Sequence, residues 1–170
     1  MVDLKPILIT ILHQYTLEQN GIHGVSHWAR VLQNGLLICE ETAADLDVVS
    51  LFAILHDSRR QNDGYDPDHG PRAAEFAQTL GAETLGLDDR QLRLLIRACE
   101  GHTHERFHED ITIQICWDSD RLDLGRIGVI PDPERLGTDI AQRQETIDWA
   151  YRRGSREIVP AFVKDEWEID

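Results

Sequence analysis

The residues best equipped for chemistry in this chain are a neighbouring pair, His56-Asp57, at the end of its most apolar stretch. An imidazole and a carboxylate are ligand types that a hard or borderline divalent ion accepts. If the apolar stretch is a helix, the pair sits at its C-terminal tip, where partial negative charge favours a cation. Taken alone, the pair has a plainer explanation, with Asp57 opening a turn and His56 a hydrogen-bonded boundary residue. Asp120 shifts the balance. On a helix through 110–124 it shares a face with Ile113, Cys116, Trp117 and Leu124. A lone carboxylate on an inward face is costly and calls for an arginine, a shifted pKa or a metal. Arg121 points about 100° away on a helix and is not the obvious partner. His27 likewise falls in phase with Val31, Asn34 and Ile38. One such group would be a satisfied core residue, but four on three helices are more simply explained by a shared site.

The elements that must position these groups follow from apolar spacing. Leu4, Ile7, Leu8, Ile11, Leu12 and Tyr15 predict a helix over about 3–17, and a second runs from about Ser26, a plausible N-cap, to Thr42. A third, about 47–57, is apolar on nearly every side, as a core helix should be. A fourth spans about 68–80, entered through Pro67 with Pro71 in its first turn, and a fifth runs from about Asp88 to Glu100. In Ile111-Thr-Ile-Gln-Ile-Cys-Trp117 the isoleucines alternate as in a strand, but no other segment reads as a strand partner, so helix is preferred. A last helix over about 139–153 follows Thr138 and ends at Gly154, and an acidic tail follows. The sum is an all-α bundle of six or seven helices in a single domain.

Composition narrows the function. The 170 residues are 41% hydrophobic and 28% charged, which suits a globular core and excludes wholesale disorder. The run Pro6–Leu12 is too short to span a bilayer and lacks the marks of a signal peptide. Cys39, Cys99 and Cys116 form no C-x-x-C pair and read as buried free thiols of a cytoplasmic protein. With 17 basic against 31 acidic residues the net charge is −14, which argues against binding a nucleic-acid polymer. It leaves room for a small phosphorylated substrate, because an ion and a few arginines reverse the potential locally.

The order His27-Trp-Ala-Arg-Val31, then Leu55-His56-Asp57, then Asp118-Ser-Asp120-Arg-Leu-Asp123 resembles the HD-domain superfamily of metal-dependent phosphohydrolases, in particular a branch of small, single-domain bacterial proteins. The resemblance covers about 20–128, with the 139–153 helix packed on that core. It implies an HD-domain helical bundle in which His27, His56, Asp57 and Asp120 ligate one divalent ion. Mn, Mg, Co, Ni, Zn and Fe all suit that set. Water on such an ion has a lowered pKa and can attack phosphate, with the second oxygen of Asp57 free to take its proton.

Some HD proteins add two histidines between His-Asp and the final Asp, and His69 and His102 stand in that order, as candidates for a second ion or for substrate contact. His23, four residues before His27, is a candidate for an outer layer. Arg59 and Arg60 follow His56-Asp57 directly and are the favoured phosphate contacts, ahead of Arg72 and Arg30. His13, His104 and His108 read as surface residues. The expected function is hydrolysis of a nucleotide or other small phosphate ester. The alternatives are a dinuclear iron oxygenase of the HD type and a non-catalytic, metal-bearing nucleotide-binding module. Oligomeric state is left open.

Overall fold

Residues 2–169 are described by a computed structural model, and their regular structure is entirely helical. The helices are α1 (Lys5–Leu12), α2 (Val25–Cys39), α3 (Leu46–Leu55), α4 (His69–Leu85), α5 (Asp89–Gly101), α6 (Ile111–Arg121), α7 (Asp139–Gln142), α8 (Gln144–Ser155) and α9 (Phe162–Asp165), with 3-10 turns at Leu122–Ile127 and Pro133–Arg135. Seven of the nine exceed one turn, which agrees with the expected all-α bundle. Among the described residues no helix is long and apolar enough to cross a membrane.

The core forms around α3, every residue of which from Val48 to Leu55 is buried. A helix apolar on all sides must be enclosed, and α2, α5 and α6 enclose it. Trp28 and Trp117 are fully buried beside it, the latter donating its indole N–H to the Ala98 carbonyl at 2.9 Å. The three cysteines are free and buried. Asn34 ties three elements together inside this core. Its amide donates to the Ser119 carbonyl at 2.9 Å and its oxygen accepts from Arg153 Nη1 at 2.9 Å, fixing α2 against α6 and α8.

Segment 111–117 is helical. Asp110 caps it by accepting from Thr112 and Ile113 backbone N–H groups, and neighbours on several sides bury residues 112–119 regardless of phase. Of the alternating isoleucines, Ile113 and Ile115 are buried, whereas Ile111 is 40% exposed.

Several boundaries differ from expectation for local reasons. Helix α1 stops at Leu12, and Tyr15 turns back to meet Trp28 edge-on at 5.1 Å. Gly24, not Ser26, precedes the first turn of α2, because a Cβ there would lie 2.1 Å from the Gln19 carbonyl. Helix α4 runs beyond residue 80 through a kink at Gly81 (φ 75°) and ends on Gly86 (φ 68°). The last helix is two: Thr138 caps α7, and Arg143 adopts an extended conformation (ψ 133°) before α8. The acidic tail docks on the bundle, burying Val163 and Trp167.

Helices α4 and α5 approach closely at Gly70, where an added Cβ would stand 2.7 Å from the Cys99 carbonyl and 3.2 Å from the His102 ring. Gly70→Ala should therefore force the two helices apart and destabilise the protein by about 1–3 kcal/mol. Chemical denaturation checks this, and a midpoint unchanged from the parent protein would contradict the packing described.

Candidate metal centre

Three helices deliver their ends to one place. His27 lies in the first turn of α2, His56 and Asp57 follow the last turn of α3, and Asp120 is the penultimate residue of α6. His27 Nε2 is 3.1 Å from His56 Nε2, 3.5 Å from Asp57 Oδ2 and 3.4 Å from Asp120 Oδ1. His56 Nε2 is 3.7 Å from each of the same two oxygens. The four residues predicted from the sequence thus converge. Both imidazoles are fully buried and Asp57 nearly so, whereas the Asp120 side chain remains 20% exposed and marks the open side.

A second group adjoins the first. His69, the first residue of α4, and His102, just beyond α5, bring their Nε2 atoms to 2.9 Å, and His69 Nε2 is 3.2 Å from Asp57 Oδ1. Asp57 therefore divides its oxygens, Oδ2 toward His27 and His56 and Oδ1 toward His69. Each group, His27-His56-Asp57 and Asp57-His69-His102, presents ligand atoms close enough to hold one ion.

The ring hydrogen bonds decide what the facing nitrogens are. His56 Nδ1 lies 3.1 Å from both the Phe52 and Ala53 carbonyls, His102 Nδ1 lies 2.7 Å from the Cys99 carbonyl, and His69 Nδ1 contacts the Asp66 carbonyl. A carbonyl only accepts, so each Nδ1 carries the proton and each Nε2 a lone pair. His27 Nδ1 similarly donates at 2.8 Å to Asp123 Oδ2, on a carboxylate gripped by Arg30 Nε and Nη2 at 2.7 and 3.1 Å. The short Nε2–Nε2 approaches are thus acceptor against acceptor, with carboxylate oxygens added and water largely excluded. Such a cluster is repulsive by itself and fits a cation of the kind imidazole and carboxylate prefer.

Burial holds His56 and His102 neutral, pushing His56 down to about 3 and lowering His102, and it also lowers His23. Burial alone would raise Asp120, but the Arg126 guanidinium beside it helps hold its carboxyl below the usual carboxylate range.

The remaining candidates separate. Arg60 turns into the centre. Its Nε and Nη2 donate to the Asn62 and Gly64 carbonyls, leaving Nη1 3.5 Å from Asp57 Oδ1 and 3.4 Å from the His69 ring nitrogens. Arg59 does not join it. Its guanidinium donates to Gln14 and lies 3.5 Å over the Phe76 ring, because the turn after α3 sends consecutive side chains in different directions. Arg72 is spent on Asp66, which itself receives the Gln61 N–H and so shapes the loop before His69. His23 stands edge-on to His27 at 6.3 Å and pairs with Asp63 at 3.0 Å. His13 and His104 are exposed, and His108 accepts from the Asp110 N–H outside the centre.

Three nearby groups, Asp123, Arg126 and Thr103, were not anticipated as site residues. Asp123 orients His27 and is itself gripped by Arg30, which was expected only as a weaker phosphate contact. Arg126 places Nη2 3.9 Å from Asp120 Oδ1, and Thr103 Oγ1 lies 3.2 Å from His69 Nε2. Asp123 was visible as a third acid after Asp118 and Asp120. It lies in the 3-10 turn that follows α6, three residues after Asp120.

The helical scaffold brings a histidine, a His-Asp pair and a final aspartate together at helix ends, in the order that resembles the HD superfamily. Among solved structures the chain is similar to a predicted HD superfamily hydrolase from an uncultured Thermotogales bacterium, at 27% identity over 95% of this chain and 92% of that one, with a TM-score of 0.69. No model of a known protein family and no curated protein matches. This likeness in fold agrees with the resemblance to the HD superfamily read from the sequence.

Two outcomes follow for the centre. A buried histidine with a depressed pKa leaves the unfolded chain binding more protons below about pH 6.5, so stability must fall as pH falls through that value. Thermal unfolding in the presence of a chelator should show this loss setting in below about pH 6.5, ahead of carboxylate titration. A melting temperature constant down to the carboxylate range would refute buried neutral histidines. Asp123→Ala should weaken metal binding about 10–100-fold by freeing the His27 ring. It should also cost about 3–5 kcal/mol of stability by stranding Arg30. Metal titration and denaturation of the same variant measure both.

Proposed function

We propose that this protein is a metal-dependent phosphohydrolase that cleaves a nucleotide or another small phosphate ester at a centre of two divalent ions. The observation that carries the reading is the division of Asp57 between two sets of lone-pair nitrogens. In this reading His27, His56, Asp57 and Asp120 hold one ion, and Asp57, His69 and His102 hold the other. The similarity to a predicted HD superfamily hydrolase supports hydrolysis as the reaction class. When bound, such ions polarise a phosphoryl oxygen and lower the pKa of coordinated water.

The chain's own groups supply the rest. Arg60 offers Nη1 at the edge of the centre while its other nitrogens are anchored to backbone, so its charge is already in place for a phosphate oxygen. Arg126 does the same on the Asp120 side. Thr103 can donate its hydroxyl across the His69–His102 edge. Asp57 turns Oδ2 toward His27 and Oδ1 toward His69, so in this reading a proton-accepting role for it competes with holding both ions.

The test combines metal content with turnover. Elemental analysis of protein purified without added metal should find two divalent ions per chain, and His102→Ala should retain one. Phosphate should be released from a panel of phosphomonoesters and nucleotides. His56→Ala, still folded by circular dichroism, should lose more activity than the about 10–100-fold typical of an outer partner. Full metal content and activity in His56→Ala and Asp57→Ala would overturn the reading. Two redox-active irons with an optical signature and no phosphate release would identify the oxygenase alternative. A metal-loaded protein that binds nucleotide without turnover would identify the binding module.

A further inference from the structure

On the other side of Arg126 from the metal centre lies a cavity of about 670 Å³, within the size range of small-molecule sites. Its walls are largely apolar, formed by Ile22 and Val25 at the start of α2 and by Val159, Pro160 and Val163 from the C-terminal segment. Arg126 and Arg30 line it on the inside and Lys164 on the outside, against the acids Glu157 and Asp165. The cavity exists because the end of the chain folds back: Arg30 Nη1 donates to the Ile158 carbonyl, holding that segment across the entry to α2.

Arg126 belongs to both compartments. Its side chain is only 9% exposed and is fixed by two backbone acceptors, Nε to the Ile22 carbonyl at 3.0 Å and Nη1 to the Asp123 carbonyl at 3.1 Å. That leaves Nη2 directed at Asp120 Oδ1 across 3.9 Å. Asp120 is the most open of the four acids and imidazoles of the first group, so the two compartments meet where the centre is accessible. A cavity with an apolar wall and an arginine at its inner end suits a molecule with an apolar body and an anionic head facing that arginine. Ile22 and Val159, 40% and 52% exposed at its rim, are large apolar groups otherwise left facing water.

We propose that this cavity is the specificity subsite of the centre, holding the organic part of a phosphate ester whose ester group is apolar, with Arg126 positioning the phosphate at the junction. The proposal rests on the phosphohydrolase reading and adds to it the kind of ester taken. Val159→Trp and Ala161→Trp, at exposed positions lining the cavity, would fill it without touching the metal ligands.

Calorimetric titration of the full chain loaded with manganese tests this with two non-hydrolysable probes, 1-naphthylphosphonate and methylphosphonate. The naphthyl probe should bind at least about tenfold more tightly than the methyl probe. Either tryptophan variant should abolish that preference while leaving methylphosphonate affinity unchanged. Equal affinities in the parent protein, or a preference that survives in whichever tryptophan variant folds, would overturn the subsite. Preference abolished by tryptophan but indifferent to a chelator would keep the cavity as a ligand site and sever it from the metal centre, overturning its role as a substrate subsite. Binding abolished by the chelator but unaffected by tryptophan would leave the phosphohydrolase reading intact and remove the cavity proposal alone.

Discussion

Four imidazole nitrogens face one another in two pairs across the carboxylate of Asp57, and the protons that could relieve their repulsion are committed elsewhere. His56, His69 and His102 each give the Nδ1 proton to a backbone carbonyl, and His27 gives its own to Asp123. The tautomers are therefore set by the fold before any ligand arrives. Two of the acceptors, the Ala53 and Cys99 carbonyls, lie in the last turns of α3 and α5. Those two C-termini contribute partial negative charge, which favours a cation.

Holding such a cluster together requires a scaffold that does not yield. Helix α3 supplies it by burying all its residues from Val48 onward, so that the position of His56-Asp57 is fixed by packing on every side. Asn34 pins α2 to α6 and α8 with two hydrogen bonds in the dry interior, which sets the distance between His27 and Asp120. The Asp123–Arg30 pair couples this arrangement to the C-terminal segment through the Ile158 carbonyl. Stability and site geometry are consequently carried by the same bonds, and the outer-layer charges matter to both.

How much of this could be read from the sequence depended on helical phase. His27 was legible because it falls in step with Val31, Asn34 and Ile38, and Asp120 because it shares a stripe with Ile113, Cys116 and Trp117. Both inferences use a period that holds throughout a helix. Beyond helix ends that period is lost. Arg59 and Arg60 are adjacent in a turn, and nothing in their order says that Arg60 enters the centre while Arg59 stacks on Phe76. His69 joins because Asp66, held by Arg72 and Gln61, folds the preceding loop back, a tertiary effect with no local signature. The docking of the acidic C-terminal segment was not legible for a related reason: it rests on two well-spaced apolar residues, Val163 and Trp167, with no long periodic pattern.

The claim most exposed to experiment is that the two imidazole pairs flank cations sharing Asp57. Anomalous diffraction from crystals of the manganese-loaded protein, recorded above the manganese edge, locates such ions directly. The account predicts two peaks, one on each side of the Asp57 carboxylate, the first among His27, His56 and Asp120 and the second between His69 and His102. Density without an anomalous signal between the His27 and His56 rings, with manganese bound only at surface carboxylates, would contradict it.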